Sequence, residues 1–144
     1  MAGGRAHEAG LVVERVRAAM NARDIDALVE CFDEGYRSDQ PAHPDRAFGG
    51  REQVRENWSA IFAGVPDFTA ELVEAAASGD VEWSEWRWRG RHADGTRLDM
   101  AGVIVAGVRH GLLRWARLYV EPVEQGAGIE AAVSDMAAGG EAGS

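Results

Sequence analysis

Residues 81–122 read VEWSEWRWRGRHADGTRLDMAGVIVAGVRHGLLRWARLYVEP, and this stretch decides the fold. Polar and apolar side chains alternate along much of it with a period of two, which is the pattern of strands with two unlike faces. Turn sequences Ala-Asp-Gly and Arg-His-Gly interrupt the alternation, and a Ser-Gly-Asp turn precedes it. We therefore predict four consecutive antiparallel strands, at residues 68–76, 81–92, 97–108 and 112–122.

The sequence before this meander has helical periodicity instead. Apolar residues between Leu11 and Met20 recur at helical spacing and predict an amphipathic first helix. Asp24 is a suitable N-cap for a second helix that ends before Gly35, and residues 51–64 predict a third. A short strand, Tyr36 to Gln40, stops at a proline-rich loop. Helices followed by an antiparallel meander predict an α+β fold.

Composition restricts the kinds of partner. The 144-residue chain carries a formal net charge of -9 and has no cluster of basic residues, which disfavours nucleic acids and anionic membrane surfaces. No apolar run approaches the length of a membrane span, and no signal-peptide pattern opens the chain. Its single cysteine, Cys31, lies in a helical pattern and suits a packed thiol in a reducing compartment. These features predict a cytoplasmic protein.

The length fits one domain. We expect a flexible N-terminus at residues 1–10 and a folded domain at 11–124. Residues 125–144 are rich in glycine and alanine and predict a disordered tail, with at most one frayed turn near residues 129–136.

The order of elements, together with four segments, resembles the SnoaL-like polyketide cyclases. These segments are RDIDALVECF (23–32), GGREQVRENW (49–58), PDF (66–68) and GLLRWARLYVEP (111–122). This family belongs to the nuclear transport factor two-like superfamily, with ketosteroid isomerases and limonene-type epoxide hydrolases. The resemblance implies a cone-shaped α+β barrel, in which three N-terminal helices and a strongly curved, mainly antiparallel sheet enclose a deep pocket. It also implies a homodimer packed through the outer face of the sheet.

The resemblance does not carry over the catalytic sets of the two other groups. The catalytic positions of ketosteroid isomerases fall on Val16, Gln40 and Gly102, although a one-residue slip would put Asp39 at the position of the base. The water-holding Arg-x-Asp pair of the epoxide hydrolases falls on Glu85 and Arg87 with the charges exchanged, and Leu118 stands where the last carboxylate belongs.

Three residues are the catalytic candidates: Asp39, Glu85 and Arg87. Asp39 lies where the short strand enters the pocket, and an apolar wall would raise its pKa toward the range of a general acid or base. In the register of the family, Glu85 and Arg87 face the pocket and orient a substrate oxygen. The alternatives are a local turn cap for Asp39 and a surface ion pair for the other two.

The binding candidates are mainly aromatic. We expect Trp83 in the pocket wall and Trp86 and Trp88 outside, at the dimer interface or against a helix. A second pair, Arg97 and Asp99, is expected on the outer face. Residues that could line the pocket are Trp58, Phe62, His43, Met100, Leu118 and Tyr119, with core packing as the alternative for the first two and an idle surface position for the histidine.

The sequence shows neither ligand spacing for a metal nor a phosphate-binding glycine fingerprint. It therefore predicts a cofactor-independent cyclase or isomerase that acts by acid/base chemistry on a hydrophobic, polyketide-like small molecule. Two alternatives remain: an epoxide hydrolase or epoxide-opening cyclase, and a small-molecule-binding or dimerisation module without catalysis.

Overall fold

The predicted meander is present, and it forms most of one six-stranded sheet. The structure is a computed structural model, and it describes residues 10–139. Along the sheet the strands run in the order β2-β1-β6-β5-β4-β3. The strands are β1 (Phe32–Asp39), β2 (Phe48–Gly49), β3 (Thr69–Ser78), β4 (Val81–Arg91), β5 (Arg97–Arg109) and β6 (Leu112–Pro122).

Helices cover one face of this sheet, so the predicted α+β fold is confirmed. The sheet is a curved, open one rather than a closed barrel, because β2 and β3 are free edges. Its pairings are antiparallel except between β1 and β6, which run parallel. The helices are α1 (Val12–Ala22), α2 (Ile25–Val29), α3 (Arg51–Gly64) and α4 (Ile129–Ala138), with a short 3₁₀ turn at Pro44–Arg46.

The first strand is longer than its sequence suggests, and the helix before it is shorter. Helix α2 ends at Val29, and β1 begins at Phe32, whose ring packs 4.7 Å from that of Tyr36. A shift in register between Phe32 and Arg37 bends β1 along its parallel partner β6. Four residues that resemble a helix end therefore lie in a strand. The two-residue strand β2 was not predicted.

Helix α1 begins at a carboxylate supplied by the sheet. Leu11 occupies the N-cap position without a side-chain hydrogen bond of its own. The Glu82 carboxylate on β4 accepts hydrogen bonds from the backbone N–H groups of Val12 and Val13, at 2.8 and 2.9 Å. Glu82 is only 5% exposed. A buried acid thus satisfies two of the unpaired donors that every helix start carries, and it fixes α1 on the sheet.

The C-terminal segment contains a helix that was not predicted. The residues after Gln125 were expected to be disordered with a frayed turn at most, but Ile129–Ala138 forms a ten-residue helix with every side chain exposed. The N-terminal segment expected to be flexible, 1–10, lies outside the described residues except for Gly10. Among residues 10–139, none of the helices combines the length and apolar character needed to cross a bilayer.

Candidate functional site

A mostly apolar cavity of about 210 Å³ lies between the helices and the inner face of the sheet. Its deep end is made by buried side chains of α1, β1 and β6, among them Val16, Phe32 and Leu113. Partly exposed residues such as Gln40 and Leu118 line the other end. This gradient of exposure indicates that the cavity opens where β1 and β6 end.

The predicted orientation of β4 is wrong. Trp86 and Trp88 line the cavity and are 1% and 7% exposed, whereas Trp83 lies on the outer face and is 49% exposed. Burying two large indoles on the helix-covered face is more favourable than burying the charged side chains that alternate with them. Trp86 and Trp88, expected outside at a dimer interface or against a helix, are therefore core residues on the inner face, where Trp88 packs against Trp58 of α3. Trp83, expected in the pocket wall, lies outside.

Because the two faces of β4 are exchanged relative to the prediction, two catalytic candidates lie away from the cavity. Glu85 and Arg87 both lie on the outer face, and neither lines the cavity. Arg87 pairs with Asp99 through two hydrogen bonds, Nε to Oδ1 at 2.8 Å and Nη2 to Oδ2 at 3.0 Å. These bonds hold the pKa of Asp99 below its usual value. The expectation that Arg97 and Asp99 face outward agrees with the structure.

Asp39, the first choice for a general acid or base, also points away from the cavity. Its carboxylate lies 3.5 Å from Nε of Arg37 and is 41% exposed. Its neighbours Ser38 and Gln40 line the cavity, since alternate residues of a strand face the same side. The three predicted catalytic side chains therefore do not meet at the cavity.

Four uncharged polar side chains face the cavity instead: Tyr36 and Ser38 on β1, Gln40 just beyond it, and Asn57 on α3. The Tyr36 side chain is buried, and burial raises the pKa of its hydroxyl to about 12. The hydroxyl thus stays protonated and can donate a hydrogen bond at any physiological pH. None of the residues that line the cavity carries an ionisable acid or base of ordinary strength.

Aromatic rings form the wall beside β4. The ring centroid of Trp88 lies 5.5 Å from that of Trp58, 6.1 Å from Phe68 and 6.2 Å from Trp86, in edge-on or tilted arrangements. Nε1 of Trp86 donates to Oγ of Ser84 at 2.8 Å, whereas the buried Nε1–H of Trp88 has no hydrogen-bond partner among the described residues. Trp58 lines the cavity as predicted.

The other binding candidates divide between the cavity and its surroundings. Leu118 lines the cavity. Phe62 does not, because its ring packs under the guanidinium of Arg23 at 5.1 Å. Tyr119 is 41% exposed on the outer face. His43 lies in the loop after β1, with Nε2 2.9 Å from Oε2 of Glu121.

Met100 borders a second space, which we call the apolar hollow. This space has a volume of about 300 Å³, is more open than the cavity, and lies between the C-terminal half of α3 and the strands β4 and β5. Ile61 and Trp88 line both spaces and separate them. Its other lining residues are Ala60, Gly64, Val65, Phe68, His92, Leu98 and Met100.

The sequence contains signals for these four polar residues, although none of them was among the predicted site residues. Tyr36, Ser38 and Gln40 alternate along one strand, so any one of them in the cavity predicts the others. Asn57 precedes Trp58 and follows Val54 by three positions, which places it at the edge of the apolar face of α3. These four side chains are uncharged, whereas the predicted catalytic residues are all charged.

A candidate metal site is also absent from the part of the chain that the structure describes. No group of three or more His, Cys, Asp or Glu side chains comes close enough to hold an ion there.

Comparisons with known proteins agree with this architecture. A family model described as a SnoaL-like domain matches residues 13–118. No curated protein matches the sequence. IdmH, a candidate polyketide cyclase from Streptomyces antibioticus, superposes with a TM-score of 0.67 at 20% identity, over 76% of this chain and 89% of that one.

Two further solved structures show the same fold. A candidate SnoaL-like polyketide cyclase from Jannaschia sp. CCS1 has a TM-score of 0.65 at 21% identity, over 76% of this chain and 83% of that one. A protein with a ketosteroid isomerase-like fold from Catenulispora acidiphila, solved with trimethylamine, has a TM-score of 0.66 at 18% identity, over 75% and 83% of the two chains.

Proposed function

This chain belongs to the SnoaL-like domain family, and on that premise we propose that it binds an uncharged, mostly apolar small molecule and promotes its ring closure or isomerisation. The family supports a cyclase or isomerase kind of function. The substrate class and the mechanism are our proposal.

The observation that carries the proposal is the composition of the cavity wall. Indole, phenyl and aliphatic groups make most of it, and its polar groups are a phenol, a hydroxyl and two carboxamides. A charged ligand would lose its hydration there without gaining an opposite charge, which is costly. A neutral molecule with one or two oxygens would find both apolar contact and hydrogen-bond donors.

Catalysis in such a cavity depends on position and polarisation. A flexible dicarbonyl compound held in one folded conformer has its reacting carbons close together, which removes much of the entropic barrier to ring closure. The Tyr36 hydroxyl, kept protonated by its raised pKa, is a suitable donor to an oxygen on which negative charge develops. Ser38 lies two residues further along the same face and is a second candidate donor.

In this mechanism Asp39, Glu85 and Arg87 have no acid/base role. Their side chains lie on the opposite face of the sheet, so a substrate in the cavity would not reach them. The same placement argues against epoxide opening, which needs a carboxylic acid beside the ring oxygen. A binding protein without catalysis is the second candidate, and the lack of an ionisable group in the cavity wall favours it.

Two measurements test the proposal. The first compares binding of 2-tetralone with that of 1,2,3,4-tetrahydro-2-naphthoate at neutral pH by calorimetry; the ketone should bind at least tenfold more tightly. Equal binding would contradict the proposal.

The second measurement uses heptane-2,6-dione, a neutral diketone whose enol carbon attacks the other carbonyl and which loses water to give 3-methylcyclohex-2-enone. The protein should accelerate this reaction over buffer, and Tyr36→Phe should lower that acceleration about tenfold or more. Tight binding of the ketone without any acceleration would favour the non-catalytic alternative.

We also propose that the protein is a homodimer that pairs through the outer face of the sheet. Trp83, Val103 and Tyr119 are between 36% and 49% exposed, and register places Glu85, Val103 and Tyr119 side by side on adjacent strands. Exposed apolar side chains in register on adjacent strands are typical of an interface.

The charges around this outer patch fit a second copy of the same chain. Glu85 lies on the β4 side, and Arg117 lies on the β6 side, stacked 4.7 Å above the ring of Trp115. A two-fold axis through the middle of the patch would bring the acidic side of one copy against the basic side of the other.

A further inference from the structure

The apolar hollow beside the cavity is not used by the proposed function. Its lining surface is almost entirely apolar, and His92 is the one lining residue with an ionisable side chain. An apolar hollow that is open to solvent can take up an apolar group, because removal of apolar surface from water is favourable.

Its position relates it to the cavity. Ile61 and Trp88 contribute to both walls, so the two spaces are separated by one layer of side chains. Trp88 is also the side chain whose buried Nε1–H has no hydrogen-bond partner among the described residues. Packing against neighbouring rings therefore holds this indole without a hydrogen bond to any described residue, in contrast to Trp86, whose Nε1–H donates to Oγ of Ser84.

We infer that the hollow is a second subsite of the same ligand and takes an apolar alkyl tail. This inference rests on the proposed function, because it assumes that an uncharged head group occupies the cavity. The chemistry of the walls supports a hydrocarbon: Val65, Phe68, Leu98 and Met100 offer apolar contact and no charge. The substrate is then an elongated molecule, with its reacting oxygens in the cavity and a saturated tail that passes between Ile61 and Trp88 into the hollow. This placement requires the Trp88 indole to turn aside when the ligand binds.

Methionine methyl groups allow each space to be observed separately. Met20 lines the cavity and Met100 lines the hollow, whereas Met136, 79% exposed on α4, lines neither. With ¹³C-methyl-methionine protein, we expect cyclopentanone to shift the Met20 signal alone and 2-heptylcyclopentanone to shift Met20 and Met100, with Met136 unchanged.

The outcomes separate this inference from the function on which it rests. If 2-heptylcyclopentanone moves Met20 but leaves Met100 unchanged, the hollow is not the tail site, while the cavity remains a ligand site. If neither ketone moves Met20, the proposed function fails and the inference fails with it.

A matched pair of variants gives a second test. Ala60 lines the hollow, and Ala63 does not; both are exposed positions of α3, where a larger side chain can be accommodated without disturbing the core. Each methylene removed from water should tighten binding about fourfold. In the wild type and in Ala63→Phe, 2-heptylcyclopentanone, which has two more methylenes, should therefore bind about fifteenfold more tightly than 2-pentylcyclopentanone.

Ala60→Phe should fill the hollow and reduce that difference to about twofold or less. An undiminished difference in Ala60→Phe would show that the tail lies elsewhere and would overturn the inference. Circular dichroism of both variants checks that they retain the native secondary structure.

Discussion

The carboxylate at the start of α1 offers the most quantitative prediction. In the variant Glu82→Ala, the N–H groups of Val12 and Val13 lose the acceptor that now lies within 3 Å of each. Both residues are at most 4% exposed, so water does not readily replace the missing oxygens. A hydrogen bond to a charged group contributes about 1.5–3 kcal/mol. For two such bonds we therefore expect a loss of about 3 kcal/mol or more in the free energy of unfolding.

Two other variants separate the contributions. Glu82→Gln keeps one oxygen acceptor but removes the charge that interacts with the helix dipole, and should cost about 1–2 kcal/mol. The control is Asp24→Ala, which removes the local cap of α2, an exposed bond of 3.0 Å to the N–H of Ala27, and should cost about 1 kcal/mol or less.

Urea denaturation followed by circular dichroism gives all three values, and the melting temperature of Glu82→Ala should fall by about 10 °C. The reasoning is refuted if Glu82→Ala is no less stable than Asp24→Ala. Such a result would mean that α1 is held by its apolar face alone.

Four other results are expected. Trp83→Glu should shift the protein toward a monomer in light scattering, because the charge enters the proposed interface, and an unchanged dimer would place the interface elsewhere. Asp39→Asn should leave acceleration of the heptane-2,6-dione reaction within about twofold of wild type; a hundredfold loss would restore its acid/base role. Deletion of residues 125–144 should change the melting temperature by a few degrees at most, since α4 buries no side chain. The free energy of unfolding should fall as pH rises from about 10 through 12, because the folded state keeps Tyr36 protonated with a pKa of about 12 while the unfolded chain releases the proton near 10. In urea titrations over this range, the stability of Tyr36→Phe should fall less steeply.

Periodicity was sufficient to predict most of the secondary structure. Helix α3 has the predicted bounds, Arg51–Gly64, and the four long strands begin and end within two residues of prediction. The turns between β3, β4, β5 and β6 contain glycines that the chain needs, such as Gly79 with φ of 59°. Local patterns of this kind depend on neighbours in sequence, and a single sequence contains that information.

Orientation of β4 was the point at which the prediction failed, and it failed because a strand with aromatic residues on both faces has no clear apolar side. The register resolves it. Arg91 pairs with Arg97 across the turn, so Trp88 lies opposite Met100 and must share its face. The prediction of Met100 on the pocket face and Trp88 on the outer face is therefore inconsistent, because residues directly opposite each other in an antiparallel pair share a face. Tyr36 was not predicted as a site residue, because the burial that raises the pKa of its hydroxyl depends on tertiary packing.

The parallel pairing of β1 with β6 has a consequence for folding kinetics. Phe32 lies beside Leu113, and Glu82 lies beside Val12, so contacts that span about 70–80 residues close the two ends of the structure. Contacts of this length are slow to form, because the intervening chain must first lose much of its freedom. During synthesis β1 cannot pair with β6, and the sheet stays incomplete, until this last strand has emerged from the ribosome. Ligand-binding competence should therefore appear late and in a single step, and a nascent chain ending before Leu112 should expose its tryptophans to chaperones.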